Sequence, residues 1–102
     1  MGVFDLLFGK RAKKIQYYLK KKALIIDVRT EREFKNGAIK GAKNIPLDTL
    51  RFHLDEIKQK NSFFIIYCAS GIRSSKATKF LNLNNINAIN GGGINSLKSY
   101  LK

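Results

Sequence analysis

The stretch that decides the fold runs from residue 63 to residue 83 and reads FFIIYCASGIRSSKATKFLNL. Its first five residues form an unbroken apolar run, which predicts a buried strand that ends at Cys68. A turn over residues 68–74 follows, and the pattern of residues 75–83 predicts a helix. The Cys68 thiol then lies at the carboxyl end of a strand and faces the N-terminus of a helix. Such a setting lowers the pKa of a thiol and attracts anions.

Three more strands are expected along the chain. Residues 23–26 and 86–89 are continuous apolar runs, and residues 42–45 predict a short strand that Pro46 stops. The glycines at 91–93 are expected to end the last strand. Runs without polar alternation are typical of strands that are buried on both faces, as in parallel sheets.

Helices are predicted between and around these strands. The expected segments are residues 10–22, a short helix that starts with the Thr30–Glu33 capping box and ends at Gly37, a helix that Asp48 caps and residues 61–62 break, residues 75–83, and residues 94–101. Strands that alternate with helices predict an α/β fold, with a small central parallel sheet flanked by helices on both faces. In such sheets the carboxyl ends of the strands carry the functional site.

The length of 102 residues favours one domain. We expect a basic amphipathic segment, residues 1–22, to pack on or lead into a domain formed by residues 23–102. Cys68 is the only cysteine, so no disulfide can form within the chain, and no apolar run is long enough to span a bilayer. The apolar N-terminal residues precede the basic stretch, the reverse of a secretory signal. A cytoplasmic location is the expectation.

The formal net charge is +13, and much of the excess lies in the lysines and arginine of residues 10–22. A positive field attracts anionic small molecules, nucleic acid or anionic lipid. No recognition motif or interleaved aromatic pattern accompanies the charge, so no specific nucleic-acid partner is expected. The alternative of a membrane-surface helix remains open, because Phe4, Leu7 and Phe8 stand next to the lysines.

Four blocks of sequence together resemble the rhodanese family of sulfurtransferases. They are Leu24–Phe34 with its Asp-Val-Arg core, Gly37–Pro46, Tyr67–Ser74, and Asn90–Ile94, in the family's order over about residues 23–97. Two departures concern the substrate: Ala38 replaces a frequent histidine, and Ala69 replaces a frequent basic residue beside the sulfur. The family's first edge strand is also hard to find before residue 10.

The resemblance implies a two-step sulfur transfer. The Cys68 thiolate would accept a sulfane sulfur from a small anionic donor such as thiosulfate, and cyanide, a thiol or a protein acceptor would remove it. The loop residues would form an anion cradle of backbone amides; they are Ala69, Ser70, Gly71, Ile72, Arg73 and Ser74. No metal or organic cofactor is expected.

Within the loop, Gly71 suits a positive φ, and the hydroxyls of Ser70 and Ser74 can donate hydrogen bonds. Arg73 is expected either to hold the donor or to tie the loop to Asp27 by a salt bridge. The supporting residues are Asp27, in a structural role, and Arg29, which is expected to pair with Glu33 unless each caps a helix. The single histidine, His53, is expected on a helix face.

Two alternatives to the enzyme remain open at this point. A cysteine phosphatase has a similar strand, loop and helix, but it needs a longer loop between cysteine and arginine than the four residues between Cys68 and Arg73. A persulfide carrier or partner-binding module would hold the sulfur without turnover, and its sequence would look the same.

Overall fold

The structure is a computed structural model that describes residues 3–101, with side chains described from residue 9 onward. In chain order the elements are α1 (Val3–Lys20), β1 (Leu24–Asp27), α2 (Glu31–Lys35), β2 (Lys43–Asn44), a 3-10 helix (Leu47–His53), α3 (Leu54–Gln59), β3 (Phe63–Cys68), α4 (Ile72–Leu83), β4 (Asn87–Gly93) and α5 (Ile94–Tyr100). The strands form one sheet in the order β2-β1-β3-β4, and every neighbouring pair is parallel. The predicted α/β fold with a small parallel sheet is confirmed.

The central strand β3 packs on a different core with each of its two faces. Ile65 and Tyr67 pack with Ile15 of α1 and Leu97 of α5. The alternate residues of β3, Phe64, Ile66 and Cys68, join the core formed with α3 and α4. Successive side chains of a strand point to opposite faces, so a strand covered on both sides needs apolar residues at every position. That requirement explains the unbroken run from Phe63 to Tyr67.

Several element boundaries differ from the sequence prediction; helix α1, for example, covers Val3–Lys20 instead of residues 10–22. Two of the differences lie next to the Cys68 sulfur. Helix α4 begins at Ile72 rather than Ser75, because Gly71 adopts a left-handed φ of 101° and starts the helix inside the predicted loop. Strand β4 continues to Gly93 instead of ending before the glycines, and Cys68 pairs in register with Gly93. Both shifts bring the start of α4 and the end of β4 closer to the sulfur.

The region around residue 48 also differs from its prediction. The chain forms a 3-10 helix from Leu47 to His53 whose first turn lacks a side-chain cap, and Pro46 stands at the cap position that Asp48 was expected to fill.

The capping box of α2 is confirmed: Thr30 Oγ1 accepts from the Glu33 amide at 3.2 Å, and Glu33 Oε1 accepts from the Thr30 amide at 3.1 Å.

The N-terminal part of the described chain is helical. Helix α1 covers Val3–Lys20, and β1 is the first strand that follows it. The extra edge strand that the family resemblance raised is therefore not found within residues 3–23. Among the described residues, no helix combines the length and apolarity that crossing a membrane requires.

A buried ion pair fixes the carboxyl end of β1. Asp27 is fully buried, and its carboxylate accepts from the Arg29 amide at 2.8 Å and from Arg29 Nη2 at 2.7 Å. Arg29 Nη2 also donates to the Gly37 carbonyl at 2.8 Å. Asn44 donates to the carbonyls of Asp27 and Arg29, at 3.0 Å each. Arg29 therefore pairs with Asp27 and not with Glu33, whereas Glu33 caps α2, which is the alternative that the sequence left open for it.

Replacing Asp27 with Asn should strongly destabilise the fold, because it leaves the buried Arg29 guanidinium without its counter-charge. We expect a loss of about 3 kcal/mol or more in the free energy of unfolding, measured by urea denaturation. The matched control is Glu31→Gln, since the Glu31–Lys35 pair has side chains that are 72% exposed and should change stability by less than about 0.5 kcal/mol. Equal stability of the two variants would contradict this account.

Candidate functional site

The Cys68 sulfur is surrounded by hydrogen-bond donors from the loop that follows β3. The Gly71 amide donates to Cys68 Sγ at 3.0 Å, and the Ser74 amide donates to it at 3.4 Å. The Ser74 hydroxyl oxygen lies 3.3 Å from the same sulfur. The left-handed φ of Gly71 turns the chain so that these groups converge from one side. Ala69, Ser70 and Ile72, which complete the loop, are exposed.

The sulfur lies just beneath this exposed loop. Cys68 as a residue is 1% exposed, and Ser74 behind it is fully buried. Burial is the largest single influence on the Cys68 thiol and raises its pKa. The hydrogen bonds from the Ser74 hydroxyl and from the amides of Ser74, Gly71 and Ser70 together outweigh burial, so the pKa of Cys68 lies below its ordinary value. A stabilised thiolate is the nucleophilic form of cysteine.

Arg73 is bound to an acidic side chain and does not point a free charge at the sulfur. Its Nη1 and Nη2 donate to the two carboxylate oxygens of Glu33 at 2.7 and 3.0 Å. The hydrogen bonds from Arg73 are the main cause that lowers the pKa of Glu33 to about 2. The salt bridge expected between Arg73 and Asp27 is wrong, because Asp27 is already paired with Arg29. The Arg73–Glu33 pair instead ties the start of α4 to α2.

The last glycines of β4 pack directly on the loop that holds Cys68. A Cβ built on Gly93 would lie 2.3 Å from the Ala69 carbonyl oxygen, and one built on Gly71 would lie 3.4 Å from Gly92 Cα. A side chain at Gly93 would therefore separate the strand from the loop, whereas at Gly71 the space suffices and the obstacle is the left-handed φ of 101°. The glycines at the end of β4 therefore let the strand lie directly against the loop, in addition to allowing the turn that the sequence suggested.

Asn90 is the residue of the site that sequence reasoning missed. It stands on β4 opposite Ile66 of β3, and its side chain bonds Ser74, Gly71 and Gly92. The signals in the sequence were its place near the carboxyl end of a strand, where α/β sheets carry sites, and its place at the start of the Asn90–Ile94 block. His53, by contrast, lies beside Glu56, with Nδ1 at 3.1 Å from the carboxylate, and plays no part in this group.

The fold agrees with the comparisons to known proteins. The family model of the Rhodanese-like domain matches residues 12–99. The Rhodanese-like Domain Protein from Staphylococcus aureus, a crystal structure, superposes with a TM-score of 0.70 at 36% identity, over 84% of this chain and 86% of that one. This chain belongs to the rhodanese-like domain family.

Among curated relatives, the uncharacterized protein YqhL of Bacillus subtilis is 41% identical over 64 residues, which is 63% of this chain and 50% of that protein. The tRNA uridine(34) hydroxylase of Buchnera aphidicola is 39% identical over 80 residues, or 71% of this chain and 26% of the hydroxylase. This chain thus spans between a quarter and a half of the length of these relatives.

Replacing Gly93 with Ala should destabilise the protein by about 1–3 kcal/mol, because the new methyl group meets backbone atoms of Ala69 and Ser70 that cannot move aside cheaply. The φ of Gly93 is −81°, so the cost is steric and not conformational. Urea denaturation measures it. In the control variant Gly9→Ala, the added methyl meets nothing within 4 Å, and helix α1 should be unchanged or slightly more stable. A fully stable Gly93→Ala protein would show that strand and loop are not in tight contact.

Replacing Glu33 with Gln should remove the ion pair with Arg73 but keep the capping box, since glutamine also serves at that position. Glu33 has a folded pKa of about 2 against an ordinary value of 4.5, so its charge stabilises the fold above about pH 4.5 and this contribution is lost as the pH falls through about 2. Both side chains are about one-third exposed, so the expected difference from wild type at neutral pH is at most about 1 kcal/mol. Urea denaturation at several pH values should show this difference shrinking between pH 4.5 and pH 2; a constant difference would contradict it.

Proposed function

We propose that this protein is a sulfurtransferase in which Cys68 carries the transferred sulfur. The observation that supports the proposal most directly is the convergence of the Gly71 and Ser74 amides on Cys68 Sγ, at 3.0 and 3.4 Å. Donors fixed in this way stabilise a thiolate before any substrate arrives, and they remain in place for a negatively charged sulfur species. The membership of the rhodanese-like domain family agrees with the same chemistry.

The reaction has two displacement steps. In the first, the Cys68 thiolate attacks the outer sulfur of thiosulfate; the sulfur–sulfur bond of the donor breaks, and sulfite leaves with the bonding electron pair. Cys68 then bears a persulfide whose outer sulfur holds the negative charge. In the second step, cyanide or a thiolate attacks that outer sulfur, the new bond forms, and the Cys68 thiolate is restored as the leaving group. No net proton, metal or external oxidant is required.

The site binds the donor's charge with backbone dipoles instead of a free side-chain cation. Arg73 is the loop's own arginine, but both of its terminal nitrogens are bound to Glu33. The loop amides and the N-terminal end of the twelve-residue helix α4 remain to face the anion. In this proposal Arg73 therefore fixes the loop. The sequence left open whether Arg73 also holds the donor, and we assign that role to the amides of residues 69–74.

The structure argues against the phosphatase alternative. Phosphate-binding loops use an arginine that points into the loop, and here the Arg73 guanidinium is engaged with Glu33 of α2. Only four residues separate Cys68 from Arg73, so we expect the loop to fit a sulfur atom and to exclude a tetrahedral phosphate. Absence of turnover with a generic aryl phosphate is the expected result.

We do not infer hydroxylase activity for this chain from its similarity to the hydroxylase relatives, because the match covers only 26% of the length of the Buchnera enzyme. The similarity extends over 80 residues, which is 71% of this chain. Four inferences from the sequence stay predictions. They are the small anionic donor, the protein acceptor, the cytoplasmic location and the division of the chain between residues 22 and 23.

The test is the intact mass of the protein after incubation with thiosulfate. We expect a gain of about 32 Da, one sulfur atom, that disappears when cyanide or a thiol is added. Because Cys68 is the only cysteine, the added sulfur has a single site. Cys68→Ser should show no gain while its circular dichroism remains that of the wild type. Retention of the added mass in Cys68→Ser, or no gain in the wild type with thiosulfate and other sulfane donors, would overturn the proposal.

A second measurement separates catalysis from simple carriage. With excess thiosulfate and cyanide, an enzyme forms many molecules of thiocyanate per protein, whereas a carrier stops after one stoichiometric transfer. We expect continued turnover in the wild type and none in Cys68→Ser. A burst of a single equivalent, with no steady state, would assign the protein to the carrier class.

A further inference from the structure

The buried hydroxyl of Ser74 has one proton and three acceptors within reach. Ser74 Oγ lies 2.7 Å from Asn90 Oδ1, 3.3 Å from Cys68 Sγ and 3.5 Å from the Gly92 carbonyl oxygen. Ser74 is fully buried, so bulk solvent does not reach its hydroxyl group. The proton can serve only one acceptor well at a time, and the shortest contact is the one to Asn90.

The orientation of the Asn90 side chain is fixed by backbone groups on both sides. Its Oδ1 accepts from the Gly92 amide at 2.9 Å, and its Nδ2 donates to the Gly71 carbonyl at 3.1 Å. Turning the amide over would place donor against donor and acceptor against acceptor. The atom facing Ser74 is therefore an acceptor, and Ser74 donates its proton to Asn90 while the sulfur is uncharged. The lone pairs of the Ser74 oxygen then remain to face the sulfur.

This arrangement suits an uncharged sulfur. A neutral Cys68 S–H can donate to Ser74 Oγ, and Ser74 in turn donates to Asn90 Oδ1. Each group in this chain of hydrogen bonds then has a partner. An ionised sulfur can only accept, and it meets the Ser74 lone pairs unless the hydroxyl rotates from Asn90 toward Sγ. The sulfur and Asn90 Oδ1 thus compete for the same proton.

We propose that Asn90 is a positioning residue for Cys68: it accepts the Ser74 hydroxyl proton while the sulfur is uncharged and releases that proton to the sulfur when it ionises. In the persulfide the charge resides on the outer sulfur, so the inner sulfur is uncharged and the Ser74 proton returns to Asn90. This last step rests on the proposed function. The exchange between thiol and thiolate does not depend on it.

The charged groups around the sulfur do not account for such an exchange. Arg73 from α4 is paired with Glu33, and Asp27 at the end of β1 is paired with Arg29. From α1, Arg11 Nη1 lies 3.0 Å from the position of a Cβ built on Gly92. Strand β4, which carries Asn90, contains no titratable side chain. Asn90 therefore acts on Cys68 through the hydrogen bond to Ser74.

The test is a pH titration of the Cys68 thiolate by its ultraviolet absorbance, with Cys68→Ser as the blank. Four proteins complete a double-mutant cycle: wild type, Ser74→Ala, Asn90→Leu and the double variant. Ser74→Ala should raise the midpoint, because the thiolate loses a donor. Asn90→Leu should lower the midpoint by roughly half a pH unit to one unit, the size of one hydrogen bond, because the Ser74 proton becomes available to the sulfur.

The coupling between the two positions is the decisive quantity. With alanine at position 74, the Asn90→Leu substitution should lose its downward shift, since no hydroxyl remains to be redirected. An equal shift in both backgrounds would overturn the proposal and assign Asn90 to loop anchoring alone. The control Asn87→Leu changes an exposed asparagine of the same strand and should leave the midpoint unchanged.

Asn90→Asp provides a second variant that keeps the size and the acceptor oxygen of the side chain. Its carboxylate should hold the Ser74 proton more tightly, so the midpoint should rise, and it should rise further with serine at position 74 than with alanine. An equal rise in both backgrounds would contradict the proposal. These titrations need no sulfur donor, so they test this inference separately from the proposed function. If the predicted coupling between positions 74 and 90 were found but thiosulfate added no mass, the proposed function would be refuted and this inference would stand.

Discussion

Everything near the sulfur depends on the way the chain turns between β3 and α4. Gly71, with a φ of 101°, starts α4 so early that the amides of Gly71 and Ser74 both reach Cys68 Sγ. The turn stays in this form because β4 packs on its other side, where Gly93 approaches the Ala69 carbonyl too closely for any side chain. A residue with a Cβ at position 71 would be strained in this backbone region. The convergence of the amides on the sulfur is thus a consequence of backbone packing between two adjacent segments.

The charges near the site are organised into closed pairs. Asp27 with Arg29 secures the end of β1, and Glu33 with Arg73 links α2 to the start of α4. The loop around the Cys68 sulfur carries no unpaired arginine, although the net charge of the protein is +13. The distant positive field can draw anions toward the molecule, while the fixed dipoles near Cys68 act at short range. The two effects operate at different distances and do not substitute for each other.

Much of the fold could be predicted because its signals are local and strong. The run from Phe63 to Tyr67 predicted a strand buried on both faces, and the capping box at Thr30 placed the start of α2. The predicted start of α4 and the predicted end of β4 differed from the structure by a few residues, because both boundaries lie at glycines. A glycine permits a turn but also permits close packing, and the sequence does not say which of the two a given glycine serves. At Gly93 packing decided, so the strand continued past its predicted end.

The sequence by itself determined that a single thiol stands at the carboxyl end of a central strand, directly before a glycine-containing turn and a helix. These features follow from consecutive residues, whose geometry the backbone fixes locally. Only the tertiary structure decided the partners: Glu33 for Arg73, forty residues away, and Asn90 for Ser74, sixteen residues away. Such hydrogen bonds require atoms from separate elements to meet within a few tenths of an ångström, and that placement results from the packing of the whole sheet and its helices.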